Sequence, residues 1–236
     1  MIKQISYTII FLIFTLILFE FSNLDQWLQG YFFDNQLQVW LVDKDNSLLV
    51  FIFYSGFKKG LIVFAILLLL ALINSSKLKL VQPYKRDLFV VLLSLIIVPV
   101  TINALKANTN VACPKQLAVY GGNYPSISLF ESYPPEFHQL KRAKCFPAGH
   151  ASGAFALMSL FFLFKIKKHR RMAILLAIAM GWTTGGYKML IGDHFLSHTL
   201  VTMQTAWLLI LTIRSTVYLV INYRTKYIVA SNKHSI

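Results

Sequence analysis

Six apolar stretches divide this chain, near Ile5–Phe21, Gly60–Asn74, Leu88–Leu105, Pro147–Phe164, Met172–Leu190 and Phe195–Ile213. A helix needs roughly 20 apolar residues to cross a bilayer, with about 17 as the floor. The second stretch is short and is expected to extend a residue or two each way. Only helices or closed barrels satisfy every backbone polar group inside lipid, so the expected fold is an all-α integral membrane protein of six transmembrane helices. With 56% hydrophobic and 14% charged residues, the chain falls well short of the quarter charged expected of a soluble domain. No repeat, linker or low-complexity segment divides it, which reads as a single membrane domain, 1–236.

The formal net charge of +14 would suggest nucleic acid in a soluble protein. Here the cations cluster between apolar stretches and set topology instead. Lys77, Lys79, Lys85 and Arg86 lie in one loop. Lys165, Lys167, Lys168, Arg170 and Arg171 lie in another, and Arg214, Arg224, Lys226 and Lys233 follow the last stretch. These regions belong in the cytoplasm. The loop with Asp25, Asp34, Asp43 and Asp45 against Lys44 belongs outside. Both termini are then cytoplasmic. The first stretch follows Lys3 but shows no small-x-small cleavage site, so it reads as a retained anchor rather than a signal peptide.

This topology places the 106–146 loop and the 188–198 corner on one external side. Both carry histidines at the edge of an apolar stretch, where an ionisable group must find partners or lose its charge. Cys145-Phe146-Pro147-Ala148-Gly149-His150 opens the fourth stretch. A proline suits a helix's first turn, whose free N–H groups make an anion site, and Gly149 allows close approach. The plainer alternative is a helix-start histidine bonded to a loop. His194 and His198 are four residues apart and would share a helical face. They read as a catalytic pair, a His-x3-His metal pair with Asp193 or His150, or interface histidines. The outer loop is itself basic, with Lys106, Lys115, Lys141, Arg142 and Lys144 against Glu131 and Glu136. That suits either anionic headgroups nearby or a phosphate-bearing substrate. Cys113 and Cys145, the only cysteines, share this loop. An oxidising compartment permits a disulfide, stabilising by roughly 3–4 kcal/mol in the chain-entropy model. Two free thiols are the alternative.

These residues resemble the type 2 phosphatidic acid phosphatase superfamily, over about residues 50–215. Its three-part signature is K-x6-R-P, P-S-G-H and S-R-x5-H-x3-D. The first part is similar to Lys106, six residues, then Cys113-Pro114. The second is similar to Pro147-Ala148-Gly149-His150. The third is similar to Gly186 or Tyr187, Lys188, five residues, His194, three residues and His198. The resemblance implies metal-free phosphoryl transfer without a cofactor. His194 would be the nucleophile, forming a phosphohistidine. His150 would protonate the leaving oxygen and later activate water. Lys106, Lys188 and the backbone at Ala148 and Gly149 would hold phosphate. Several positions depart from the pattern. Cys113 and Lys188 stand in place of arginines, Ala148 in place of a serine, and His198 in place of the aspartate that orients the nucleophile. Lys115, Lys141 or Arg142 would supply the missing charge.

The implied function is dephosphorylation of a membrane lipid phosphate or diphosphate at the outer leaflet of a bacterial-type inner membrane, with no nucleic-acid partner. Two alternatives stand beside it. One is a lipid phosphotransferase, and the other is a non-catalytic protein that keeps the fold and binds an anionic lipid.

Overall fold

A computed structural model describes the backbone of residues 1–233 and side chains through Tyr223. The side chains of Arg224, Lys226 and Lys233 therefore lie outside the described residues. In chain order the α-helices are α1 (Ile2–Glu20), α2 (Leu24–Gln29), α3 (Ser47–Val50), α4 (Gly56–Ile73), α5 (Lys85–Thr109), α6 (Gly149–Ala156), α7 (Lys167–Leu190) and α8 (Leu196–Lys233). A two-stranded antiparallel hairpin, β1 (Phe33–Asp34) with β2 (Val39–Trp40), follows α2 and pairs Phe33 with Trp40.

Four helical stretches are long and apolar enough to cross a membrane: Ile2–Glu20, Ser47–Ile73, Gln82–Gln116 and Leu196–Tyr223. The chain is a multi-pass, all-helical membrane protein. Two expected spans differ. The fourth is a helix of Gly149–Phe162, in which α6 tightens into a 3₁₀ segment at Leu157–Phe162. The fifth, inside α7, begins with Lys167, Lys168, Arg170 and Arg171, and its inner half is rich in glycine and threonine. It meets its neighbours through small residues rather than through bulk apolarity. A Cβ at Gly181 would enter the Phe155 ring, and one at Gly185 would meet Thr199.

The second span exceeds the sequence reading. It is continuous from Ser47, because a single π-helical turn, Phe51–Ser55, joins α3 to α4. Its true start is capped by Asn46, whose Oδ1 accepts from Leu49 N at 3.1 Å. Lys58, Lys59 and Gly56 break the apolar pattern there without breaking the helix.

Helices α5, α6, α7 and α8 enclose the main core of Val98, Ile102, Phe155, Met158, Ala177, Ala206 and Ile210. Fully burying each large apolar side chain contributes about 1.5–3 kcal/mol relative to water. Helix α1 leans on α8, and α4 on α5. Above the bundle sits a cap made of α2, the hairpin and the 110–148 loop, with Gln26 of α2 bonded to Tyr120 and Ser126. Phe33, Leu117, Tyr120 and Phe195 pack there with Trp40 and Tyr124. The structure joins Cys113 to Cys145 in a disulfide, with Cα atoms 5.2 Å apart.

Candidate active site

The site lies under the cap, where the end of α5, the start of α6, the end of α7 and the start of α8 meet. α5 runs past the expected loop start, so Lys106 stands in its last turn, before the left-handed C-cap Asn110. α6 begins at Gly149, not at Pro147. Ala148 is its N-cap in extended conformation, because its N–H donates to the His198 carbonyl at 3.1 Å. That bond occupies the Ala148 N–H, which the sequence reading had assigned to phosphate. Thr202 Oγ1 also donates to the His198 and Ala148 carbonyls, at 2.8 and 3.3 Å. Thr109 Oγ1 donates to Phe146 O at 2.5 Å. The Pro-Ala-Gly-His segment is thereby pinned between α5 and α8. A Cβ at Gly149 would lie 3.1 Å from Asn103 Oδ1 and 3.9 Å from Lys106 Nζ, so glycine leaves room where lysine meets the helix start.

The corner after α7 follows from Gly192. Its φ of +73° is a conformation glycine adopts without a Cβ penalty. Gly192 N donates to Met189 O at 3.1 Å and Asp193 N to Lys188 O at 2.8 Å, the paired bonds of a Schellman turn. The turn folds Asp193 back over the last turn of α7. Lys188 Nζ donates to Asp193 Oδ2 at 2.8 Å, and Lys115 Nζ reaches Oδ1 at 2.7 Å. Lys188 thus faces a carboxylate that the sequence offers only as a third ligand for a His-x3-His metal pair. Burial alone would push the Asp193 carboxyl up. The hydrogen bonds from Lys115 and Lys188 outweigh it and hold the carboxyl below its ordinary value.

His194 follows the turn and precedes α8, so it does not share a helical face with His198. The two still meet, Nδ1 to Nδ1, at 3.4 Å. On its other side His194 Nε2 lies 3.1 Å from His150 Nδ1. His198 also bonds the Cys145 backbone. Burial first, then His198 and His150 beside it, holds the His194 imidazole well below its ordinary value. It is neutral at pH 7, the form that carries a lone pair for attack. Among the described residues, no group of three or more His, Cys, Asp or Glu side chains is arranged to hold a metal.

Lys106, Gly149, His150, Lys188, His194, His198 and Lys115 converge here. Arg142 does not, because its guanidinium donates to Asn108 O at 2.6 Å. Two contributors escaped the sequence reading. Tyr54 packs edge-on to His150 at 5.0 Å between ring centroids and lies under Lys188 Nζ, also at 5.0 Å. Asp25 accepts from Ser197 N at 2.9 Å and from Ser197 Oγ, capping the first turn of α8 from 172 residues away. Only the Gly192 turn had a local signal, a glycine just past a helix end.

An apolar groove of about 530 Å³ leads from Lys106, Gly149 and His150 down between α4 and α5, past Phe57, Leu61 and Leu95.

Buried histidines in mutual contact, lysines about a helix start and an apolar groove thus meet at one place in a helical membrane bundle. The PAP2 superfamily model matches residues 87–224, well over half of the chain, and the chain belongs to that superfamily. Membership supports phosphatase-type activity on phosphate esters. No curated protein and no solved structure gives a significant match.

Proposed function

We propose that this protein hydrolyses a lipid phosphate or diphosphate at the outer leaflet through a phosphohistidine on His194. The observation that carries the reading is the two-sided contact of His194, with Nδ1 on His198 and Nε2 on His150. For Nε2 to attack, the His194 proton must sit on Nδ1, and His198 Nδ1 must accept it. The Nδ1–Nδ1 approach suits a His198 that carries its own proton on Nε2 and so has that bare Nδ1. A neutral histidine in the aspartate's place then fixes the same tautomer.

Substrate entry replaces the 3.1 Å contact between His194 and His150, and phosphorus takes its place between the two separated rings. The Nε2–P bond forms as the P–O bond to the lipid breaks, and His150 protonates the departing oxygen. Water, giving its proton to His150, then cleaves the P–N bond and releases phosphate. Lys106, Lys115, Lys188 and the first-turn N–H groups of α6 neutralise charge on the equatorial oxygens. The groove receives the lipid's apolar chain. At ~1.5 Å per residue, α5 from Leu92 to Lys106 offers about 21 Å of wall, and both residues line the groove.

Phosphate release from a panel of purified lipids by the detergent-solubilised protein tests the reading. Release that persists in chelator is expected. Release abolished by chelator and restored by zinc or magnesium would replace it with the His194–His198 metal pair.

A further inference from the structure

The superfamily signature asks for two arginines that this chain lacks, at Cys113 and Lys188. An arginine offers five donors in a rigid fork, whereas lysine is a point charge on a flexible stem. Two independent lysines would be a poor replacement, because each must be ordered separately.

The Lys115–Asp193–Lys188 bridge removes that difficulty. Each Asp193 oxygen takes one ammonium, Oδ1 from Lys115 and Oδ2 from Lys188. The carboxylate is fixed by the Schellman turn at Gly192, so it presents both oxygens from a rigid backbone. Lys115 is fixed from its own side, since its N–H donates to Gly192 O at 2.9 Å and it follows the disulfide-bonded Cys113. Lys188 has only 11% of its side chain exposed and lies over the Tyr54 ring that also touches His150. An ammonium has three donors. One of each is engaged by Asp193, which leaves two on each lysine for another anion. Counting Lys106, three cations and one carboxylate give the site a net charge of +2, matching a phosphate dianion.

We propose that Lys115, Asp193 and Lys188 form one composite phosphate clamp, in which Asp193 is the positioning residue and Lys115 supplies the cation missing at Cys113. The role of the clamp in turnover rests on the phosphatase reading, but its affinity for phosphate does not. Asp193 touches no substrate atom. It turns two flexible lysines into a pair with set spacing, which does the work of the guanidinium forks.

The test is binding of inorganic phosphate and orthovanadate to the full chain in detergent, alongside lipid-phosphate turnover. Asp193→Asn keeps the shape of the side chain and removes its charge. Phosphate affinity and kcat/KM should both fall by roughly ten- to a hundredfold, the scale of a misplaced donor. Asp193→Glu should recover part of the loss. A residue needed only for the turn would give the opposite order, with the isosteric asparagine the better substitute, and that result would overturn the proposal. Lys115→Met should weaken phosphate binding by a similar factor, and adding Asp193→Asn should then change little, because the two share one interaction. Additive losses, or phosphate bound as tightly or more tightly by Asp193→Asn, would also overturn it, the latter by making Asp193 a competitor for the lysines. If Asp193→Asn does not fold, Lys115→Met decides alone, since it leaves the Gly192 turn intact, and unchanged phosphate binding would refute the clamp. A wild-type protein that binds phosphate but releases none from any lipid refutes the phosphatase and leaves the clamp standing. One that binds neither phosphate nor vanadate refutes the clamp, whatever its turnover.

Discussion

The bundle and the cap hold the site by different forces. In the bundle, Ile102, Phe155, Met158 and Ile210 are fully or nearly fully buried, and small residues let α7 approach α6 and α8. Packing, with a few interhelical hydrogen bonds such as Gln204 to Thr15 and Tyr218 to Asp87, fixes the helices, and they deliver Lys106, His150, Lys188 and His198 as consequences of their axes. The cap has a small aromatic cluster and almost no regular structure. It is fixed by a disulfide, by side-chain bonds to backbone and by Asp25 reaching to α8. It delivers Lys115 and covers the histidines. A bundle tolerates change at its lipid-facing surface. A cap with so few apolar contacts depends on each of its ties.

Breaking the junction between the two regions should have the largest effect. His194 stands where they meet and is fully buried, so His194→Ala should abolish turnover and lower the thermal transition through the cavity it leaves, whereas His194→Gln, which fills most of that space, should abolish turnover with the transition closer to that of the parent. Phosphate release at the parent rate would remove the phosphohistidine. His150→Ala acts from the bundle side and should lower kcat by roughly two to four orders of magnitude, the range for a lost general acid, with smaller change in substrate affinity. Affinity that collapses while saturated turnover persists would make His150 a binding residue.

Cys113→Ser probes the cap. Loss of the cross-link should lower stability by roughly 3–4 kcal/mol in the chain-entropy model. If the contrast holds, proteolysis or hydrogen exchange should show the 110–148 segment opening before the bundle, with turnover lost alongside. One cooperative transition shared by cap and bundle would break it. Two alkylatable thiols in protein purified without reductant would remove the disulfide itself.

The smallest effect concerns Asp25. Burial pushes its carboxyl up to about 6, and the hydrogen bonds from Ser197 counter this only in part. A carboxyl that holds its proton more tightly when folded stabilises the fold below its unfolded value and loses that contribution as pH rises through about 6. Parent stability, measured relative to Asp25→Asn, should therefore decline between about pH 4 and pH 6. A flat difference across that window would show that Asp25 is not buried by the cap.

The sequence by itself determined the membrane class, four spanning helices through their apolar lengths, and the histidines worth watching, since an ionisable side chain beside an apolar stretch stands out without any fold. It also placed the superfamily signature and its departures. Helix starts shifted, by two residues at Ala148 and by thirteen at Asn46, because such caps depend on bonds that composition does not show. Only the tertiary structure decided what compensates the departures. Asp193 is adjacent to His194 in sequence yet serves Lys188 and Lys115, because the Gly192 turn reverses its direction. Asp25 reads as a loop acid until the cap folds it onto α8. Contacts across 78 and 172 residues leave no local pattern, since neither partner alters the periodicity around the other. They exist only once packing of the bundle has brought the loops to one end.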